Sequence, residues 1–377
     1  MMNMPTKDKE FANARPLAPT VPVSSGQPSA VTPHAPADHP ALPTAKIGVL
    51  LVNLGTPEGT DKKSVRKYLK EFLSDRRVVD YPRLLWMPLL HGIILNTRPA
   101  KTGRAYAKIW REDTNESPLR FFTRAQADHL TKALHPDQRE AADGPLVIDW
   151  AMRYGVPSIA DRLSALTEKG CTRILILPLY PQYSATTTGT VNDEVFRSLM
   201  AMAWQPAVRT VPAFHDEPAY IDALAAVTRR HMASSDFEAD RVILSFHGLP
   251  ERYFREGDPY HCHCAKTARL LREKMGWSDS FAPLAFQSQF GPEKWLGPST
   301  DEEIERAASD GVKRLAVITP GFVADCIETL EEIAMEGADT FLEAGGEAFT
   351  AIPCLNDTAE MTTLLEKLVA RELKGWC

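Results

Sequence analysis

Short apolar runs alternate with longer amphipathic stretches along this chain from residue 46 onward. The clearest runs are rich in Val, Ile and Leu, and they cover residues 47–52, 146–149, 173–177, 242–246 and 315–319. Runs of this length and composition predict buried strands. Because the stretches between them have the length of helices, the alternation indicates a parallel, doubly wound sheet. The pattern therefore predicts an α/β fold.

Two pairs of segments repeat the same layout. Residues 161–178 and 302–320 both run from a helical pattern through a Gly and a basic residue into an apolar strand that stops at Pro, and residues 49–57 and 242–250 both end in Gly-x-Pro. The repeats predict two similar lobes, 46–205 and 206–377, with a cleft between them. The alternative to a true duplication is that such similar segments occur in any α/β protein.

The first 45 residues have a different composition. They contain nine prolines and no hydrophobic period. Such a segment buries too little apolar surface to offset its loss of conformational entropy, so we expect residues 1–45 to be a disordered tail. Asp8, Glu10 and Asp38 argue against a transit peptide, which would be poor in acidic residues.

Overall composition narrows the class of protein further. The 377 residues are 44% hydrophobic with a net charge of −6, so no basic footprint for nucleic acid is present. No apolar stretch of 18 residues exists to span a membrane. Six scattered cysteines do not resemble a disulfide framework, which predicts a reducing cytoplasm. Neither Gly-x-Gly-x-x-Gly nor a P-loop motif occurs, so the usual nucleotide sites are not predicted.

One histidine lies where open α/β sheets bind ligands. His247 closes the run 242–246, and Gly248 and Pro250 turn the chain immediately afterwards. Ligands of such folds bind outside the carboxyl ends of the strands. A neutral imidazole there can accept a proton near pH 7 or bind a metal ion. The alternative is a hydrogen-bonded core histidine.

An acidic segment follows another predicted strand end. Four carboxylates come after Pro320 and Gly321, in a stretch that we predict to be helical: Asp325, Glu328, Glu331 and Glu332. Spacings of three and four place Asp325, Glu328 and Glu332 on one stripe of an α-helix. Facing a histidine, such a stripe could bind a divalent cation and conduct protons. The alternative is a solvated helix face.

Several ordered motifs carry a resemblance to a known family. They are VNLGTP (52–57), ESPL (116–119), MRY (152–154), YPQYS (180–184) with TTGT (187–190), SFHGLP (245–250), GDPY (257–260), FQSQFGPEKWLGP (286–298) and PGFVADCIETL (320–330). Over residues 46 to 375 the chain resembles the ferrochelatases. The resemblance implies two Rossmann-like lobes around a porphyrin cleft, and insertion of Fe2+ into protoporphyrin IX as the terminal step of haem synthesis.

The resemblance also implies roles for individual residues. His247 and Glu328 would be the facing catalytic and metal-handling pair, Asp325 would support them, and Glu332 would continue the proton path. Whether His247 acts as base or metal ligand stays open. Pocket aromatics and propionate partners are implied at these positions: Tyr180, Trp295, Arg98, Lys101, Tyr106, Ser117 and Arg153. Core packing is the alternative for the aromatics, and a surface cation without ligand is the alternative for the arginines.

Two further expectations concern partners and cofactors. In ferrochelatases the region matching residues 81–98 forms an apolar lip that can touch a membrane, and Trp86 suits an interface, so we expect peripheral membrane contact. No cofactor beyond the substrate Fe2+ is expected. Ala185 replaces the cysteine of the animal cluster-bearing form, and only Cys377 ends the chain, which argues against a [2Fe–2S] cluster. A cluster that includes Cys262 and Cys264 is the alternative.

Three rival functions fit the same pattern. A coproporphyrin ferrochelatase or another tetrapyrrole chelatase would keep the fold and change the ring. A non-catalytic porphyrin or haem carrier would need the two lobes but not His247 and Glu328 together. The intact YPQYS and 286–298 motifs argue against a sirohydrochlorin-type ring, and the apolar lip favours protoporphyrin over the more carboxylated coproporphyrin.

Overall fold

The computed structural model describes residues 38, 45–135, 144–291 and 293–376. The predicted tail, apart from residues 38 and 45, lies outside the described residues, as does Cys377.

Two four-stranded parallel sheets form the framework, which confirms the predicted α/β class. The first has the strand order β2-β1-β3-β4, with β1 Lys46–Gly55, β2 Leu146–Tyr154, β3 Cys171–Pro178 and β4 Ala207–Thr210. The second has the order β6-β5-β7-β8, with β5 Arg241–His247, β6 Leu284–Gln287, β7 Arg314–Ile318 and β8 Ala348–Ile352. Strands β1 and β5 are covered on both faces, which explains their continuous apolar sequences. The order within each sheet is the same, as the internal repeats suggested.

Twelve α-helices and three π-helical segments connect these strands in the described part of the chain. The α-helices are α1 Lys62–Ser74, α2 Arg83–Leu89, α3 Leu95–Ile109, α4 Pro118–Leu134, α5 Ile159–Glu168, α6 Thr190–Met200, α7 Pro218–Ser234, α8 Glu251–Arg255, α9 Tyr260–Met275, α10 Thr300–Ser309, α11 Ala338–Glu343 and α12 Ala359–Glu372. The π-helical segments are π1 Leu90–Ile94, π2 Ala185–Gly189 and π3 Glu328–Gly337.

One continuous apolar core joins the two sheets. It contains Leu51 of β1 and Leu244 of β5, and residues of α4, α7 and α12 fill the space between them, including Leu130, Leu224 and Leu368. Smaller cores cover the outer face of each sheet. The two lobes therefore share one hydrophobic core.

The boundary predicted after residue 205 stays a prediction. Strand β4 lies just beyond that position, yet it pairs with β3 in the first sheet, with Arg173 opposite Ala207 and Ile176 opposite Thr210. The first sheet thus extends at least to residue 210.

Candidate active site

The carboxyl ends of the two sheets come together at one place. Leu54 near the end of β1 packs with Leu119 at the start of α4, and both belong to a cluster that includes Phe322 and Cys326 from the segment after β7. The Phe322 ring lies 6.5 Å from the ring of His247, at the end of β5. Residues at the strand ends of both lobes therefore share one site, as expected for ligand binding in open α/β sheets.

His247 is half-buried, and one hydrogen bond fixes its tautomer. Its Nδ1 lies 2.7 Å from the carbonyl oxygen of Gly248. Because a carbonyl can only accept, Nδ1 must carry the proton, and in the neutral ring Nε2 keeps a free lone pair. The turn that forms this bond leaves no room for a larger residue, since a Cβ on Gly248 would lie 2.7 Å from the Gln287 carbonyl oxygen. His247 is thus oriented as a base or ligand through Nε2.

Glu328, Glu331 and Glu332 lie on a π-helix, not on the predicted α-helix. The segment π3 begins at Glu328, with hydrogen bonds that span five residues instead of four, so the stripe expected from α-helical spacing does not form. Gln287 holds its first turn, donating from Nε2 to the Glu328 carbonyl at 2.8 Å, and is itself held by Ser245 Oγ at 2.8 Å. The start of π3 is therefore tied to the ends of β5 and β6.

Glu332 reaches across to the loop after β6. Its carboxylate accepts hydrogen bonds from the Ser288 N–H at 2.7 Å and from Ser288 Oγ at 2.6 Å. Burial raises the pKa of Glu332 above its usual value, although the Ser288 hydrogen bonds and the charge of His247 lower it in part. Glu332 is therefore better able to hold a proton near neutral pH than an ordinary carboxylate.

Asp325 precedes π3 and points into a fully bonded pocket. Its carboxylate accepts from Asn356 Nδ2 at 2.6 Å, from Thr329 Oγ1 at 3.0 Å and from the Cys354 N–H at 3.3 Å. Its own N–H donates to Asn356 Oδ1 at 2.8 Å. The prediction that Asp325 lies on the same helical stripe as Glu328 is wrong, because the chain is still irregular there. Its contacts make it an anchor for the start of π3.

Three tyrosine hydroxyls in the interior are influenced by the charge of Glu328. Burial, followed by the charge of Glu328, raises the pKa of Tyr106. Burial also raises the pKa of Tyr180 and Tyr68 well above the usual value, with Glu328 again contributing. The hydroxyl of Tyr180 is buried and has no hydrogen-bond partner among the described residues. Tyr106 is buried, so it is not presented to solvent as a propionate partner would be.

An aromatic pair forms one side of the site. Trp295 pairs with Pro250 in a single β-bridge, and its ring would lie 3.1 Å from a Cβ on Gly248. Its ring centroid is 4.9 Å from that of Phe290. The Trp295 indole N–H is buried and has no partner among the described residues. Trp295 is thus placed directly behind the turn that follows His247.

The remaining propionate candidates separate into exposed and buried groups. Arg98 and Lys101 lie exposed on α3, and the Arg98 guanidinium lies 5.8 Å from the centroid of the Phe290 ring. Ser117 is buried and caps α4, accepting from the Arg120 N–H at 3.3 Å. This cap satisfies an otherwise unpaired N–H at the start of the helix. Of the four predicted partners, only Arg98 and Lys101 are presented to solvent.

Arg153 is locked in a buried network. Its Nη2 donates to Asp75 Oδ2 at 2.6 Å, and its Nε donates to Thr190 Oγ1 at 2.8 Å and to the Thr190 carbonyl at 3.0 Å. The Tyr154 hydroxyl also donates to Asp75, at 2.9 Å. The structure therefore supports a structural role for Arg153 more than a substrate contact.

Comparison with known proteins agrees with this geometry. The family model described as Ferrochelatase matches residues 46–373. The chain belongs to the ferrochelatase family. The protein named Ferrochelatase from Allorhizobium ampelinum is 57% identical over 92% of this chain and 99% of its own length. Its namesake from Agrobacterium fabrum is also 57% identical, over 90% of this chain and 97% of its own length. This member of the family is accordingly a ferro-lyase of haem biosynthesis.

A more distant similarity concerns a solved structure. SirB from Bacillus subtilis with Fe3+ is 12% identical, with a TM-score of 0.48 over 86% of this chain and 95% of that chain. So distant a similarity says nothing about function.

In this ferrochelatase-family chain, the two cysteines of α9 lie in different environments. Cys264 is buried in the core, where burial raises the pKa of its thiol, whereas Cys262 on the same helix faces solvent. Among the described residues, no group of three or more His, Cys, Asp or Glu side chains is arranged to hold a metal ion. Ligation through both thiols would require α9 to change its packing.

The lip of this family member is strongly exposed. It comprises α2, π1 and the start of α3, and its large apolar side chains at the surface are Leu84, Leu85, Leu89 and Ile93. Trp86, which was expected at the interface, instead packs inward and donates from Nε1 to the Leu73 carbonyl at 2.7 Å. No helix in the described ranges is long and apolar enough to cross a bilayer.

Sequence reasoning missed three residues of the site. Gln287 and Ser288 tie π3 to the sheet, and Phe290 stands beside Trp295. All three lie in the motif 286–298, which carries part of the family resemblance. Gln287 ends β6 and the other two follow it, but four residues are too few to predict that strand, so the sequence offered no strand-end signal for them.

Proposed function

We propose that this chain inserts Fe2+ into protoporphyrin IX to give protohaem, with release of two protons, as the terminal step of haem biosynthesis. The observation that carries the proposal is the tautomer of His247, whose Nε2 is left with a free lone pair at the carboxyl end of β5. Metallating a free-base porphyrin requires a group that accepts pyrrole N–H protons. In the neutral ring, Nε2 of His247 is the atom available to accept such a proton.

In the proposed reaction, the porphyrin loses two N–H protons while its four nitrogens replace the ligands of Fe2+, so the metal's charge is balanced within the ring. His247 Nε2 accepts a proton from a pyrrole. Glu328, the first residue of π3, is the side chain that would handle the incoming cation. Glu332, whose pKa is raised by burial, is suited to receive a proton in turn.

Binding of the macrocycle would rest on the aromatic residues. Tyr180 and Trp295 each present an apolar ring with a buried polar tip that no described residue satisfies. A flat, apolar ligand gains from stacking on such rings. Arg98 and Lys101 are the exposed cations of α3 that would pair with propionates.

An anaerobic absorbance assay with Fe2+ and protoporphyrin IX tests the proposal, with coproporphyrin III and sirohydrochlorin as rival rings. We expect His247→Ala to abolish metallation while retaining porphyrin binding, measured separately by fluorescence without metal. His231→Ala, which changes a histidine bonded to Thr350 in the second lobe, is the matched control. Faster turnover of another ring would reassign the substrate, and tight binding without metallation by the unmodified chain would favour a carrier.

We also propose that the lip contacts the cytoplasmic face of a membrane, where the poorly soluble porphyrin collects. Leu84 and Leu85 are 90% and 73% exposed. Burying a leucine in an apolar phase contributes about 1.5 kcal/mol or more. Changing both to Ser should therefore weaken binding to phospholipid vesicles roughly 100-fold, measured by cosedimentation. Met200→Ser, at an 81% exposed position on α6, should change binding little. Equal loss in both variants would contradict the proposal.

We propose, finally, that the chain needs no resident cofactor and carries no [2Fe–2S] cluster. The opposite environments of Cys262 and Cys264 support this. The purified protein should show neither visible cluster absorbance nor stoichiometric iron and sulfide. Cluster bands lost in Cys262→Ser would contradict it.

A further inference from the structure

The motif GDPY, residues 257–260, belongs to the second lobe but contacts the first. Asp258 Oδ2 accepts hydrogen bonds from the Ala185 N–H at 2.8 Å and from the Ser184 hydroxyl at 3.1 Å. Asp258 Oδ1 accepts from the Tyr260 N–H at 3.0 Å. Tyr260 begins α9, and Ala185 begins π2. One carboxylate therefore joins the starts of two helical segments, one in each lobe.

Two more hydrogen bonds continue this junction along α9. The Tyr183 N–H donates to His263 Nδ1 at 3.2 Å. Gln182 Nε2 donates to Thr267 Oγ1 at 3.1 Å, about one helical turn further along. Each of the four residues 182–185 is therefore hydrogen-bonded to the second lobe, although residues 182–184 lie outside any helix or strand.

Tyr180 lies between this junction and the first sheet. The Leu179 N–H still donates to the Val52 carbonyl oxygen of β1, at 2.8 Å. Tyr180 and Pro181 alone separate that bond from the junction at residues 182–185. The backbone of Tyr180 is thus fixed by the sheet on one side and by the second lobe on the other. Its partly exposed ring is one of the aromatic surfaces proposed above to bind the porphyrin.

We propose that Asp258 is a positioning residue for porphyrin binding, which acts by fixing residues 180–185 so that the Tyr180 ring faces the cleft. This inference rests on the function proposed above, in which Tyr180 stacks on the macrocycle. The carboxylate of Asp258 is already engaged by three protein donors, so it acts through the loop and not on the porphyrin directly. A ring that is ordered beforehand binds more tightly, because ordering it during binding would cost conformational entropy.

Asp258→Ala tests this role, because it removes every acceptor of the junction's first contact. The metal-free Kd for protoporphyrin IX, measured by porphyrin fluorescence, should rise about tenfold, which corresponds to the loss of one hydrogen bond to a charged group. With Fe2+ present, KM should rise by a similar factor while kcat stays within about threefold of the original. Asp258→Asn should restore Kd to within about threefold, since its amide oxygen can still accept from both Ser184 and Ala185.

Asp240→Ala is the matched control for a loss of stability. Asp240 lies before β5 and accepts from the N–H groups of Lys313 and Arg314, at 3.2 and 2.9 Å. Like Asp258, it therefore joins two separate segments through backbone donors, but at the amino end of the sheet. Asp240→Ala should lower the urea midpoint as Asp258→Ala does and leave the Kd for porphyrin unchanged. A rise in Kd that is equal in both variants would overturn the inference.

A double-mutant cycle with Tyr180→Ala shows whether Asp258 acts through the ring. Without the ring, Asp258→Ala should lower metal-free affinity by less than about threefold, because the group that it positions is gone. A further tenfold loss in that background would overturn the inference. Should Asp258→Ala not fold, Ser184→Ala breaks the same contact from the first lobe, and an unchanged Kd in that variant would also overturn it. Coupled losses in a chain that binds porphyrin but never metallates it would support the positioning role and refute the proposed catalysis.

Discussion

Replacing Arg153 by Met tests whether this residue stabilises the fold or binds substrate. The change removes three hydrogen bonds and leaves the Asp75 carboxylate without its cationic partner, in a site where the Arg153 side chain is 7% exposed and that of Asp75 is 12% exposed. Removing one partner of a buried ion pair lowers the free energy of unfolding by about 3–5 kcal/mol. Three donors to Asp75 remain, from Tyr154, Thr190 and the Arg77 N–H, so we expect a loss near the lower end, about 3 kcal/mol.

The loss should appear as a fall in melting temperature of roughly 5 °C, with KM for porphyrin unchanged. Arg269→Met, which breaks an exposed i,i+4 pair with Glu273, should cost less than about 1 kcal/mol and is the matched control. Adding Asp75→Asn to Arg153→Met should recover much of the stability, since no uncompensated charge is then buried. A folded Arg153→Met protein with unchanged melting temperature and a tenfold higher KM would refute this reasoning and make Arg153 a substrate contact.

The pH dependence of the same variant follows from Asp75. Burial favours the neutral form of Asp75, but hydrogen bonds from Thr190 and Arg77 and the charge of Arg153 outweigh burial and lower its pKa below 3.8. A carboxyl with a lowered pKa contributes stability above 3.8, and this contribution is lost as pH falls through the folded-state value. The stability difference between the original chain and Arg153→Met should therefore shrink below about pH 3.8.

Two further predictions concern other parts of the fold. Burial raises the pKa of Glu332 above 4.5, so the folded state holds this proton more tightly than the unfolded state, and stability is lost as pH rises above that value. In urea titrations, Glu332→Gln should therefore gain stability relative to the original chain as pH rises from 4.5 to 7. A stability difference that stays constant with pH would contradict the assignment. Gly55→Ala should destabilise far more than Gly257→Ala. Both glycines have positive φ, but a Cβ at Gly55 would lie 1.9 Å from the Tyr154 carbonyl oxygen, whereas Gly257 has open space; equal losses in urea midpoint would refute the steric argument.

The long strands could be predicted from sequence because their apolar runs are covered on both faces. Residues 242–246 fall within β5, and 173–177 fall within β3. The edge strands β4, β6 and β8 have only four or five residues each, too few to establish a period, and they depend on pairing with a neighbour already in place.

The site could be predicted in part for a similar reason. His247 ends a strand, so its place at the sheet edge followed from the pattern. The π-helical conformation that begins at Glu328 could not be predicted from the pattern, because side-chain spacing alone does not reveal which backbone carbonyl each N–H bonds to. The family resemblance implied ligand contacts at Ser117 and Arg153, whereas in the structure Ser117 caps a helix and Arg153 pairs with Asp75. The Asp75 partner of Arg153 is 78 residues away in sequence, so the residues around Arg153 could not reveal this ion pair.

The continuous core between the sheets has a mechanical consequence. Because Leu51 and Leu244 belong to the same apolar body, swinging one lobe away from the other would expose that core to water. The width of the cleft between the two lobes should therefore stay nearly constant. Enzymes that close by a hinge between independent domains differ in this respect. Conformational adjustment on ligand binding must come from short segments outside this core: α2, π1 and residues 288–291. Exchanging one half of the chain for that of a relative would accordingly replace half of a shared interior, and the two halves should not behave as interchangeable modules.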